Sequence, residues 1–135
     1  MIAAIIVAAG QGRRMGGPVR KQYLALCGRP ILAHTLSVFD ACPDVDRVVL
    51  VVAGEDLEWC RQGLLLDYPV EKPLTLISGG DCRQESVFRG IEALEAEDGI
   101  VLIHDGVRPL PPMALLNACI AGARRWGGCI PALAV

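Results

Sequence analysis

The first stretch of the chain that could do chemistry is Ala8-Ala9-Gly10-Gln11-Gly12-Arg13-Arg14-Met15, followed shortly by Arg20-Lys21. Small residues let backbone N–H groups approach a phosphate, while guanidinium forks and a lysine point charge neutralise its oxygens. No Gly-Lys-Ser/Thr follows, so this is not a Walker loop. Met15 stands where a dinucleotide fingerprint would need its third glycine. Spacing alone suits a plain glycine turn equally well; the four cations within residues 13–21 favour phosphate.

Two later loops have similar potential. Gly79-Gly80-Asp81-Cys82-Arg83-Gln84-Glu85-Ser86 leads into a helix start, where N–H donors are unsatisfied. Its plainer reading has Asp81 capping the helix, Gln84 as the reciprocal partner and Ser86 facing solvent. In Ile103-His104-Asp105-Gly106-Val107-Arg108-Pro109, a carboxylate at the mouth of a strand could hold Mg²⁺ beside phosphates. A structural Asp105–Arg108 pair explains the same spacing.

The elements that must position these loops are legible. Apolar runs at Ile2–Ala8, Arg47–Val52, Leu74–Ser78 and Ile100–His104 read as buried strands. Helical periodicity fills Pro30–Ala41, residues 55–66 with Leu57, Leu64 and Leu65 inward, Arg83–Leu94 with Val87, Ile91 and Leu94 inward, and Met113–Trp126. Cys129–Val135 reads as a last apolar strand. Strands alternating with helices predict an α/β fold, Rossmann-like, its mostly parallel sheet covered by helices on both faces. Ligands of such a sheet bind outside the carboxyl ends of the strands, where all three loops fall.

Composition limits the alternatives. At 135 residues the chain is one domain or part of one, and 53% hydrophobic content excludes intrinsic disorder. The longest apolar run, Ile2–Ala9, is about half what a bilayer crossing needs. The start lacks the basic region of a secretory signal, so a cytoplasmic protein without membrane contact is expected. A net charge of −2 gives no general affinity for nucleic acid. The charge is uneven, however: residues 1–39 hold five basic groups and no carboxylate. That asymmetry suits a small polyanionic ligand, or a chance cluster on a solvated face. The six cysteines have no CxxC and no ligand spacing to histidine, so reduced thiols are expected.

Together, Ala8-Ala9-Gly10-x-Gly12-x-Arg14-Met15, Lys21-Gln22-Tyr23, Gly79-Gly80-x-x-Arg83-x-x-Ser86-Val87 and His104-Asp105-x-x-Arg108-Pro109 closely resemble the 2-C-methyl-D-erythritol 4-phosphate cytidylyltransferases. The resemblance runs through the chain and covers the N-terminal half, or a little more, of that family. It implies a fold of nucleotidyltransferase type and transfer of CMP from CTP to a sugar-alcohol phosphate, with release of pyrophosphate, in non-mevalonate isoprenoid synthesis.

By resemblance, Arg14 and Lys21 are catalytic and stabilise the pentavalent phosphorus. Ala8, Ala9, Gly10 and Gly12 hold the nucleotide, as do Gly80, Asp81, Arg83, Ser86 and Gly106. Asp105 is a ligand of Mg²⁺, the expected cofactor, and Arg108 supports that corner. Gly106-Val107 is a departure, standing where two small residues are usual. The expected nucleotide-binding domain spans residues 1–135 with its C-terminal part missing. Absent with it are the arm that makes a homodimer, further basic groups for the acceptor and a second metal-binding Asp. Transfer to ribitol 5-phosphate is the nearest alternative, and a truncated, non-catalytic nucleotide-binding module the next.

The residues themselves agree with phosphoryl chemistry. A phosphomonoester has a second pKa of about 6, so the acceptor is already an anion at neutral pH and needs no general base. What remains is to align two polyanions and spread charge as pyrophosphate leaves.

Overall fold

The computed structural model describes residues 1–11, 17–95 and 98–134. The main strands are β1 (Ile2–Ala8), β4 (Arg47–Val52), β5 (Leu74–Ser78) and β6 (Ile100–Asp105). They form one sheet in the order β5-β4-β1-β6, every pairing parallel. Two short strands, β2 (Ala25–Leu26) and β3 (Arg29–Pro30), pair antiparallel around Cys27-Gly28, both in the left-handed region. The helices are α1 (Ile31–Ala41), α4 (Arg83–Glu92) and α5 (Met113–Trp126), with the short pieces α2 (Leu57–Trp59) and α3 (Leu65–Asp67) flanking a π turn at Cys60–Leu64. The expected α/β architecture is the observed one.

Burial on both faces explains why the central strands β1 and β4 are apolar runs without alternation. All seven residues of β1 are buried. Its even positions, Ile2, Ala4, Ile6 and Ala8, pack with Leu32, Leu36 and Phe39 of α1, Leu116 and Ile120 of α5, and Cys60 and Leu64. The odd positions, Ala3, Ile5 and Val7, meet Val49 and Val51 of β4 and, from α4 and the turn after it, Val87 and Leu94. One face therefore carries α1, α5 and the 57–67 segment, and the other carries α4.

Two sequence expectations need correction. Ile91 does not face the sheet: it is 44% exposed, while Ser86 and Gly90 are buried. Small residues let α4 sit closer than an isoleucine would allow, so its buried stripe lies one residue round from the apolar one. The last strand is also not found. Residues 127–134 are irregular, with Ile130 86% and Leu133 94% exposed. Pro131 removes a ladder donor from the middle of that run, which apolar composition alone overlooks.

The approach of α4 is set at Gly90, where a Cβ would lie 2.6 Å from Ile5 Cγ2 and 3.4 Å from Val51 Cγ2. In an open helix, Gly→Ala is worth about 1 kcal/mol of stability. Here Gly90→Ala is expected to lose about 1–3 kcal/mol through overpacking. A denaturant melt checks the sign, and a stabilised variant would show that the helix can move away freely.

Candidate functional site

Because every main strand is parallel, the loops after β1, β4, β5 and β6 emerge at the same end of the sheet. The chain passes from β1 to β4 and β5 on one side and to β6 on the other, so the order reverses beside β1. That reversal is where open α/β sheets leave a crevice. A cleft of about 520 Å³ lies at the same end over β1, β4 and β5, lined by Ala9 and Gln11, Arg20, Ala53–Glu55, Gly79–Asp81 and Arg89. A larger hollow, about 1110 Å³, runs along β6 and α5 and is mainly apolar.

Small residues bring the loops together. A Cβ on Gly79 would stand 2.5 Å from Ala9 Cβ and 2.6 Å from Ser86 Oγ. One on Gly106 would lie 3.0 Å from Ala8 Cβ and 2.9 Å from Leu32 Cδ1. The paired alanines ending β1 thus each meet a glycine from a neighbouring loop.

The β5 loop is closed by its own helix. Ser86, 1% exposed, accepts the Gly80 N–H at 3.1 Å and donates to the Cys82 carbonyl at 3.0 Å. Neither Asp81 nor Gln84 caps α4, whose N-cap Cys82 makes no side-chain cap bond. Glu85 does the work expected of them, its Oε2 accepting the Asp81 N–H at 2.9 Å. Arg89 holds Glu85 at 2.6 Å and donates to the Gly79 carbonyl at 2.8 Å. The hydrogen bond from Asp81, then that from Arg89, keeps the Glu85 carboxyl below its ordinary range. Asp81 is left exposed at the cleft.

The β6 loop presents Asp105 between two guanidinium groups. Arg83 reaches Oδ1 through Nε and Nη2, each at 2.9 Å, and Arg108 reaches Oδ2 at 3.2 Å. Both readings of the sequence therefore meet at one residue: Asp105 is paired with Arg108, and it stands at the mouth of the strand. The turn is fixed from below. Gly106 N–H donates to the Val7 carbonyl at 2.8 Å, and its own carbonyl accepts from buried Thr35 Oγ1 at 2.7 Å. His104 lies against Phe39, ring centroids 5.0 Å apart. Burial holds its pKa below the ordinary histidine value, with Asp105 opposing and Arg108 adding.

Lys21 opens a single 3-10 turn, Lys21–Tyr23, and is exposed while its neighbours are anchored. Arg20 pairs with Glu55 and, at 2.8 Å, with Asp56. It therefore ties the β1 and β4 loops together, a role the cation count did not reveal. Tyr23 Oη donates to Asp56 at 2.9 Å, and burial, with Cys60 and Asp56 nearby, pushes its pKa well up. Gly12 and Arg14 lie outside the described residues. Of the remaining expected residues, Ala8, Ala9, Gly10, Gly80, Asp81, Arg83, Ser86, Asp105, Gly106, Arg108 and Lys21 all belong to the loops or helix starts at this end.

Reasoning from sequence missed Gln22, Thr35, Glu55, Asp56 and Arg89. The four-residue spacing of Glu85 and Arg89 was a usable signal for one of them. Thr35 offered none, and Gln22 stands in the Lys21-Gln22-Tyr23 motif without a stated role, since the type of a polar residue does not disclose what it will bond.

The family model of the 2-C-methyl-D-erythritol 4-phosphate cytidylyltransferases matches residues 2–135. The chain belongs to that family. It is 43% identical over 130 residues to the 2-C-methyl-D-erythritol 4-phosphate cytidylyltransferase of Syntrophotalea carbinolica, covering 96% of this chain and 56% of the relative. To the corresponding protein of Geotalea uraniireducens it is 41% identical over 134 residues, covering 98% and 58%. The crystal structure of the 4-diphosphocytidyl-2C-methyl-D-erythritol synthase from Anaerococcus prevotii superposes with a TM-score of 0.77 at 32% identity, covering 92% of this chain and 51% of that one. The chain thus spans about half the length of the cytidylyltransferases it matches, and its fold is of the nucleotidyltransferase type expected.

Thr35→Val keeps shape but leaves the buried Gly106 carbonyl without its donor. It is expected to lower stability by about 1–3 kcal/mol. A denaturant midpoint that does not move would mean that the carbonyl finds another partner.

Proposed function

We propose that the protein transfers CMP from CTP to 2-C-methyl-D-erythritol 4-phosphate and releases pyrophosphate. The observation that carries this reading is that three loops, each bearing its family motif, meet at the carboxyl end of the sheet: those after β1 and β5 line the cleft, and the one after β6 stands beside them, joined through Arg83 and Asp105. In the cleft, Ala9, Gly10 and Gly80 bring backbone close to the nucleotide, and exposed Asp81 reads the edge of a small pyrimidine. Arg83, Ser86 and Gly106 hold the loops' shape around it, and the resemblance assigns Gly12 to the nucleotide as well. Lys21 is free to swing toward the α-phosphate because the residues beside it bear the anchoring. With Arg14, it meets the negative charge that develops as pyrophosphate departs.

Mg²⁺ belongs to this reading through Asp105. Among the described residues no cluster of three or more His, Cys, Asp or Glu could hold a metal. A single carboxylate is nevertheless what fits an ion that keeps its waters and takes its other oxygens from phosphates. When bound, the ion offsets phosphate charge. Arg83 and Arg108 are 56% and 75% exposed, so both can leave Asp105 for phosphate oxygens. Among the described residues no helix is long and apolar enough to cross a membrane. A homodimer working in the cytoplasm is part of the same proposal.

Pyrophosphate release from CTP, ATP and GTP, with methylerythritol phosphate or ribitol 5-phosphate as acceptor, tests the reading on the whole protein. CTP with methylerythritol phosphate is expected to be fastest. Preference for a purine triphosphate would overturn the assignment, and preference for ribitol 5-phosphate would move it to the alternative acceptor. Lys21→Ala is expected to lower kcat by roughly 10²–10³, or about 3–4 kcal/mol, with little change in KM. A variant within about threefold of wild-type kcat would lose under 1 kcal/mol of barrier and refute the role of Lys21.

A further inference from the structure

We infer that Gln22 is a positioning residue, coupling the backbone donors of the β1 loop to the lysine beside it. The inference rests on the functional reading above. Gln22 is 2% exposed, and its Nε2 donates to the Ala8 carbonyl at 2.8 Å and the Gly10 carbonyl at 2.9 Å. Both N–H bonds of the amide are thereby used, as a primary amide so deeply buried requires.

The geometry reaches further than satisfying a buried group. In a trans peptide, the carbonyl of one residue and the N–H of the next point in opposite directions. No described peptide bond is cis. Drawing the Ala8 and Gly10 carbonyls toward Gln22 turns the N–H groups of Ala9 and Gln11 away from it. Ala9 and Gln11 both line the cleft. The same side chain belongs to the 3-10 turn that begins at Lys21. That turn is tied on its other flank by Arg20 and Tyr23 to Asp56. One buried amide thus fixes the phosphate-facing backbone and the base of Lys21 in a single frame. Removing its donors lets the two drift relative to each other.

Gln22→Met keeps length and removes both donors. In the whole protein, held well below its melting temperature and saturated with CTP, kcat is expected to fall by roughly 10²-fold, the scale of a small misplacement of reacting groups. A double-mutant cycle separates positioning from plain packing. If Gln22 acts through Lys21 as well as through the backbone, Gln22→Met slows Lys21→Ala by clearly less than the roughly 10²-fold it costs the wild type, because coupled residues are not additive. Losses that multiply, or a folded Gln22→Met with wild-type kcat, overturn the inference while leaving the functional reading intact. Should Gln22→Met not fold at the assay temperature, Gln22→Glu decides. A protonated glutamic acid restores one donor, so its kcat is expected to rise as pH falls where the wild type shows no such limb; a profile parallel to the wild type overturns the inference. Wild-type protein that releases no pyrophosphate from CTP overturns both.

Discussion

The site depends on close contact between chain segments that could not approach one another if they carried ordinary side chains. Ala9 against Gly79 and Ala8 against Gly106 join the loops of β5 and β6 to the end of β1. Most of what stands around this seam keeps it closed. Ser86 and Arg89 hold the Gly79-Gly80 backbone from the helix side, and Thr35 holds Gly106 from beneath. Gln22 secures the Ala8 and Gly10 carbonyls from behind. The small residues are few, but Ser86, Thr35 and Gln22, which fix them, are buried and matched, and such networks specify one arrangement when every member is satisfied.

Electrostatics around the three loops is more ordered than a count of cations implies. Arg20 is bound to Glu55 and Asp56, Arg89 to Glu85, and Arg83 and Arg108 share Asp105. Each guanidinium already has an oxygen partner of the kind a phosphate would offer. Phosphates of the proposed substrates would therefore exchange with carboxylates at these guanidinium groups. This also agrees with a net charge near zero in a protein whose proposed substrates are polyanions.

Strands were the most legible part of the fold, because a parallel strand buried on both faces must be continuously apolar. The positions of the three loops followed from that pattern, and so did their gathering at one end. Where legibility failed, a physical cause is visible. Hydrophobic periodicity pointed to Ile91, yet close packing selected Gly90 and Ser86, which periodicity cannot register. The cap at α4 was assigned to Asp81 and Gln84, while the longer reach of Glu85 closes the turn. In 57–67, a π turn fits within a spacing that still reads as an ordinary helix. The tail from Cys129 is apolar in composition but interrupted at Pro131. Gln22 and Thr35 act on backbone carbonyls far along the chain, and those partnerships exist only once the sheet has formed.

The small stripe on α4 gives this helix a mechanical character. A helix rises about 1.5 Å per residue, so Arg83 lies about 10 Å along the axis from Gly90. Gly90 rests on Ile5, and Ile5 belongs to the strand that ends at Ala8. The helix is therefore a lever whose fulcrum is on β1: beside the fulcrum Arg89 holds the Gly79 wall of the cleft, and the far end carries Arg83 to Asp105. The spacing of these loops is gauged at a contact buried beneath them. A methyl group's difference at the fulcrum would change the aperture without altering a single residue that lines it.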